Sequence, residues 1–125
     1  MRKVRKNRSK RDKLMDKAWR VFSRYIRERD KYICFTCGSE GNHAGHFKHG
    51  KHTERYFNEH NVHCQCVRCN MYLSGNQAVY LRRIQQKYGM KKADELLKEN
   101  KMKKWKVAEL EELIDYYQKA LDKIK

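Results

Sequence analysis

The chain has 125 residues, 39% of them hydrophobic and 37% charged, with a net charge of +16. That length admits one domain with a helical appendage, and so little apolar surface makes a marginal core that needs a further staple. No apolar run is long enough for a signal peptide or a membrane span, so the expected setting is a reducing cytoplasm.

The charge is uneven. Residues 1–13 carry eight bases against one acid, residues 14–90 thirteen against six, and residues 91–125 ten against eight. The surplus therefore lies in the first ninety residues, where a polyanion would be gripped. Nucleic acid is the expected partner. An anionic membrane is the weaker rival, because no basic stretch carries the bulky apolar face it requires.

Residues 1–11 (MRKVRKNRSKR) are almost devoid of apolar side chains and read as a disordered basic arm, with Arg5 and Arg8 as DNA contacts. A helix is expected from Asp12. Leu14, Ala18, Val21 and Tyr25 form one apolar stripe, and Met15, Trp19, Phe22 and Ile26 the next. The helix should end near Asp30. Tyr32 to Phe35 read as a short strand entering a Cys-x-x-Cys-Gly turn, and a strand pair is expected near 44–47 and 61–63. After Cys69 the pattern turns helical, with Tyr80, Leu81, Ile84 and Tyr88 in register and Gly89 as the C-terminal stop. A short helix follows near 93–99. The last helix, near 107–124, spaces Val107, Leu110, Ile114, Tyr117, Leu121 and Ile124 in a heptad-like order. Packing on its own domain and dimerisation both fit that stripe. Trp19 and Trp105 sit in apolar helical contexts and read as core residues.

Five cysteines carry the staple. Cys34-Phe-Thr-Cys37 and Cys66-Val-Arg-Cys69 are two C-x-x-C knuckles separated by 28 residues. Four thiolates at this spacing can close a tetrahedral shell around structural Zn²⁺ and supply folding energy. Cys64 is the spare thiol; it could replace Cys66, but C-x-x-C turn geometry favours Cys66. Redox disulfides and histidine ligation are the competing readings.

All six histidines, His43, His46, His49, His52, His60 and His63, fall within 21 residues. Composition leaves three readings open: a solvated loop, a second metal site, or an active site. Residue order adds to this. Gly45-His46-Phe47, Arg55-Tyr56, Asn61, Gln65-Cys66-Val67-Arg68-Cys69-Asn70 and Gly75-Asn76 occur in sequence. The series resembles the phage NinG (Rap) recombination-protein family, and the resemblance covers roughly residues 14–125.

The resemblance implies an α+β fold: an N-terminal helix plus a zinc-stapled ββα-metal (HNH-like) core over residues 12–89, followed by a C-terminal helical extension over 90–125. It implies an endonuclease that hydrolyses phosphodiester bonds in branched recombination intermediates such as Holliday junctions. His46 matches the general base, Asn61 the residue that orients it, and Asn70 a ligand of catalytic Mg²⁺ or Mn²⁺. HNH enzymes often carry a second ligand directly before the base, where this chain has Gly45. Two arrangements then fit: the metal rests on Asn70 with DNA oxygens and water, or a second ligand comes from elsewhere, with His43, His52 and Asn76 as candidates. Arg55 reads either as a phosphate clamp or as a structural partner of Glu54 or Glu59. Lys48, Lys51 and Arg68 would add charge near the DNA backbone. Symmetric junction cutting implies a homodimer, and the family likeness implies the cytoplasm of a bacterial host. The competing function is a non-catalytic zinc-knuckle DNA-binding protein that assists recombination. A sequence-specific restriction or homing nuclease would need a larger recognition module.

Overall fold

The computed structural model describes residues 8–124. Arg5 and most of the expected basic arm lie outside the described residues. Helix α1 spans Lys10–Arg29 and begins two residues before Asp12 because the Ser9 side chain accepts a hydrogen bond from the Asp12 amide at 3.1 Å. Met15, Ala18, Phe22 and Ile26 form its buried ridge.

A two-stranded antiparallel hairpin follows. Strand β1 is His43–His46 and β2 is Val62–Gln65, with His43 opposite Gln65 and His46 opposite Val62. Side chains alternate between the faces of a strand. One face therefore carries Ala44, His46, Val62 and Cys64, and the other carries His43, Gly45, His63 and Gln65. All four residues of β2 are buried, because both faces are covered. On the first face Val62 joins the core with Met15, Phe22, Phe57, Leu110 and Tyr117. On the second, Phe47 starts a separate core with Tyr80, Ile84, Ala93 and Leu96. The latter residues belong to α2 (Gln77–Tyr88) and α3 (Met90–Leu97).

Helix α4 spans Val107–Ile124 and packs along α1 through Leu110, Ile114, Tyr117 and Leu121. Much of the heptad-like stripe thus lies against its own domain. The Tyr25 and Tyr117 hydroxyls both donate to the Glu59 carboxylate, at 3.3 and 2.9 Å, and tie the helix pair to the loop between the strands. Trp105 packs edge-on against Phe57 and donates from Nε1 to the Thr53 carbonyl, so it is a packing residue as expected.

The expected α+β class is what the structure shows. Two expected elements differ. Residues 32–35 form no strand: Lys31 and Tyr32 take φ of 55° and 58°, and only an isolated bridge joins Ile33 to Glu40. Backbone bonds from Cys34 N to Ser39 O and from Gly38 N to Cys34 O close a knuckle there instead. The helix expected straight after Cys69 is also interrupted. Arg68–Tyr72 make one π-helical turn, and α2 starts only at Gln77. Between them Ser74, Gly75 and Asn76 all have positive φ, which ends one helix and redirects the chain before the next. Among the described residues, no helix is long and apolar enough to cross a membrane.

Candidate functional site

The two knuckles meet. The Sγ atoms of Cys34, Cys37, Cys66 and Cys69 all lie within 4.8 Å of one another, and those of Cys37 and Cys66 are 3.7 Å apart. A tetrahedral zinc with bonds of about 2.3 Å separates its sulfurs by about 3.8 Å. The four cysteines can therefore hold a metal ion such as Zn²⁺. Donors surround the sulfurs: Thr36 Oγ1 lies 3.2 Å from Cys34, Ser39 Oγ 2.9 Å from Cys37, and Asn76 Nδ2 3.6 Å from Cys69. Burial raises the Cys34 thiol, but hydrogen bonds led by that from Thr36 outweigh it and bring it down to about 6. Burial pushes Cys69 up to about 11. Without a cation the four cannot all ionise, whereas a dication at their centre removes that barrier. Cys64 lies outside the cluster, buried on the α1 face, and burial pushes its thiol up to about 11.

The hairpin carries the remaining polar constellation. His46, at the end of β1, packs with Trp19 of α1 and Tyr56 in a three-ring cluster: its centroid is 4.8 and 4.9 Å from theirs, and theirs are 5.0 Å apart. Its Nε2 lies 3.0 Å from the Tyr56 carbonyl. A carbonyl only accepts, so Nε2 carries the proton and Nδ1 is the basic nitrogen. Burial pulls the imidazole down to about 4, so it is neutral at pH 7.

Asn61 is fully buried and staples the loop after β1. Its Oδ1 accepts from the Lys48 amide at 2.8 Å, and its Nδ2 donates to the Lys48 and Arg55 carbonyls, each at 3.0 Å. It holds the backbone around His46 rather than the imidazole's second nitrogen, which the sequence reading had given it. Asn70, in the π turn, lies across the other face of the hairpin, with Nδ2 3.0 Å from His43 Nδ1. A Cβ added to Gly45 would sit 2.8 Å from Asn70 Oδ1 and would collide with Gln65 Oε1. His43, Gly45, Gln65 and Asn70 are thus brought together. His46 leaves the hairpin on the α1 side and is linked to this group only around its edge. His49 lies there, 6.2 Å from His46 between ring centroids, with its Nε2 facing Gly75.

These motifs can be set beside known proteins. A family model described as "Bacteriophage Lambda NinG protein" matches residues 1–125. The chain belongs to the NinG family. Protein ninG of Escherichia phage lambda is 30% identical over 109 residues, covering 83% of this chain and 53% of that protein. Protein ninG of Salmonella phage P22 is also 30% identical over 109 residues, covering 54% of its own length. The chain spans about half the length of these relatives. No solved structure matches it.

In this NinG-family chain the other sequence candidates have distinct settings. Arg55 is buried, and its guanidinium donates to the Glu95, Leu96 and Lys98 carbonyls at 2.7, 3.1 and 2.6 Å. It caps the C-terminal end of α3. This corrects both expectations for it, the phosphate clamp and the pairing with Glu54 or Glu59. His52 is exposed on the loop, where its carbonyl accepts from the Lys103 amide, and Asn76 faces the Cys69 sulfur. Neither joins His43 and Asn70. Lys48 lies over the Phe47 ring at 5.7 Å, and Lys51 pairs with Asp16 at 3.6 Å. Arg8 pairs with the same Asp16, and Arg68 is exposed at the start of the π turn. His63 is a core residue, stacked on Phe35 with its nitrogens 3.0 and 2.8 Å from the hydroxyls of Tyr80 and Tyr88.

The sequence reading missed Gln65 as a site residue. The signal was its place two positions on from His63 in the same strand, opposite His43, from where its side chain reaches Gly45 diagonally. It also missed Trp19 and Tyr56 as the rings that pack on His46. A helical tryptophan gives no sequence sign of which ring it will cover.

Proposed function

We propose that this chain is a metal-dependent DNA endonuclease of the HNH type. Its substrates are branched recombination intermediates such as Holliday junctions, as the family likeness implies. One observation carries the proposal: a neutral histidine, with Nε2 engaged by a carbonyl and Nδ1 unprotonated, stands at the end of a hairpin that the cysteine cluster clasps. Asn61 pins the loop beside it, and Asn70 follows the last cysteine. The cysteine cluster fits Zn²⁺ in a structural role. Asn70 and its neighbours offer neutral oxygen donors, which suit Mg²⁺ or Mn²⁺. Such an ion, when bound, offsets charge on the scissile phosphate and on the leaving oxygen.

His46 Nδ1 takes a proton from water as the water oxygen bonds to phosphorus and the bond to the 3′ oxygen breaks. The 3′ oxygen is protonated from solvent, which leaves a 5′ phosphate and a 3′ hydroxyl. Trp19 and Tyr56 fix the ring plane, and the Tyr56 carbonyl offsets positive charge that develops on the imidazole. Burial alone makes His46 a weak base, and an anionic phosphate drawn alongside raises its affinity for a proton.

A second reading keeps the zinc and the charge but not the cutting: a DNA-binding protein that assists recombination. The observation in its favour is that His46 and Asn70 lie on opposite faces of the hairpin, Asn70 from the π turn. Incubating the zinc-loaded protein with a labelled four-way junction and a matched duplex, with and without Mg²⁺ or Mn²⁺, separates the two. Metal-dependent strand breaks support the nuclease. Tight binding with no breaks in any condition supports the binder.

A further inference from the structure

Gln65 holds an unusual position for a fully buried amide. Its Nε2 donates to the Gly75 carbonyl at 2.9 Å and to Thr36 Oγ1 at 3.3 Å. The carbonyl can only accept, so the amide cannot be turned around without losing that bond. Its Oε1 is thereby directed at Gly45, where it is buried with no hydrogen-bond partner among the described residues. A buried acceptor left unpaired forfeits the hydration it had in the unfolded chain and so calls for a partner.

A second oxygen faces the same spot. Asn70 Nδ2 donates to His43 Nδ1 at 3.0 Å, which leaves Oδ1 on the Gly45 side, 2.8 Å from where a Cβ would stand. Two amide oxygens with their donors turned away thus converge beside Gly45, where Gln65 Oε1 occupies the place a side chain would take and Asn70 Oδ1 lies next to it. Carbonyl oxygens repel one another, and the partner that satisfies both is a hard cation.

We infer that Gln65 Oε1 and Asn70 Oδ1 form a divalent-cation site over Gly45, with His43 as the positioning residue that turns the Asn70 oxygen inward. The inference rests on the nuclease reading for what the ion does there, and not for its binding. It also explains the glycine. A side chain at 45 would displace Gln65, so the ligand missing from β1 is supplied by the paired strand. Oxygen donors without charge favour Mg²⁺ or Mn²⁺ over Zn²⁺, which the thiolates take.

The test is paramagnetic broadening of amide NMR signals by Mn²⁺ added in small amounts to the zinc-loaded, ¹⁵N-labelled full chain. Broadening should appear first at Gly45, Gln65 and Asn70. Gln65→Met, which keeps bulk and removes the oxygen, should weaken the effect roughly tenfold, and His43→Phe should do the same by freeing the Asn70 amide. Asn70→Asp should strengthen it, since a carboxylate binds a hard ion better. Zinc content and amide dispersion report whether each variant is folded. If Gln65→Met loses its zinc, Asn70→Asp decides, because it removes no oxygen. Broadening centred elsewhere, or unchanged by folded Gln65→Met or Asn70→Asp, overturns the site. Mn²⁺ bound at Gly45 in a protein that cuts no DNA leaves the site standing and removes the nuclease. Metal-dependent cutting that survives folded Gln65→Met intact does the reverse.

Discussion

At the scale of residues, Arg55 and His46 show how burial sorts basic side chains by role. Arg55 gives its donors to three carbonyls at the end of α3, where a buried cation meets the negative end of a helix. Arg55→Ala leaves those carbonyls without it and should cost about 1–3 kcal/mol in urea unfolding. DNA affinity measured under folded conditions should hardly change; a large loss of affinity with full stability would return Arg55 to the phosphate. His46 is held neutral by burial, which lowers it from the ordinary value near 6.5 to about 4. The unfolded chain then binds the proton more readily than the folded one. This contribution to stability is present above pH 6.5 and is lost as the pH falls through about 4. Urea midpoints taken at intervals between pH 7 and 4 should fall towards acid, and His46→Phe should reduce the fall. An equal fall in both proteins, with zinc retained in each, would show that His46 is not responsible.

At the scale of elements, the knuckles do what the thin core cannot. They fasten the start of the hairpin segment to the turn that carries Asn70, two stretches some thirty residues apart in sequence. Cys37→Ser should abolish zinc uptake and leave the hairpin without fixed amide signals; a folded, zinc-free variant of unchanged stability would refute the structural role. Packing of α4 on α1 is a separate contribution. Leu110 is completely buried there, and Leu110→Ala should cost about 2–5 kcal/mol by thermal or urea unfolding.

Helix α1, the last helix and the thiol set were legible in the sequence because each rests on a local rule: apolar periodicity, or C-x-x-C spacing. What escaped was set by long-range contact or by backbone geometry. The π turn and its three left-handed residues carry only Gly75 as a warning. Arg55 reads as a phosphate ligand until α3 folds over it. The meeting of the Gln65 and Asn70 oxygens beside Gly45 appears only when β2 is paired in a register that brings Gln65 near it. Asn61 stands out in the order of motifs, yet its bonds go to loop backbone, a choice no spacing rule makes.

At the scale of the molecule, the chain is a hairpin covered on both faces, with its basic surplus in the first ninety residues. Binding of DNA through that surplus is expected to weaken steeply with salt, since phosphate contacts release counterions. Symmetric junction cutting needs two active sites, which a homodimer would supply. The ridge of α4 that α1 already covers is not free to serve such a dimer.

The central claim is that His46 acts as the base in DNA cutting, and the most direct measurement compares wild type with His46→Ala on a labelled four-way junction. Cleavage in Mg²⁺ or Mn²⁺ is followed alongside DNA affinity and zinc content. The expected result is a loss of roughly 10²–10⁴-fold in cleavage rate with affinity and zinc retained. Equal cleavage by both proteins, or no cleavage by the wild type under any metal condition, would contradict it.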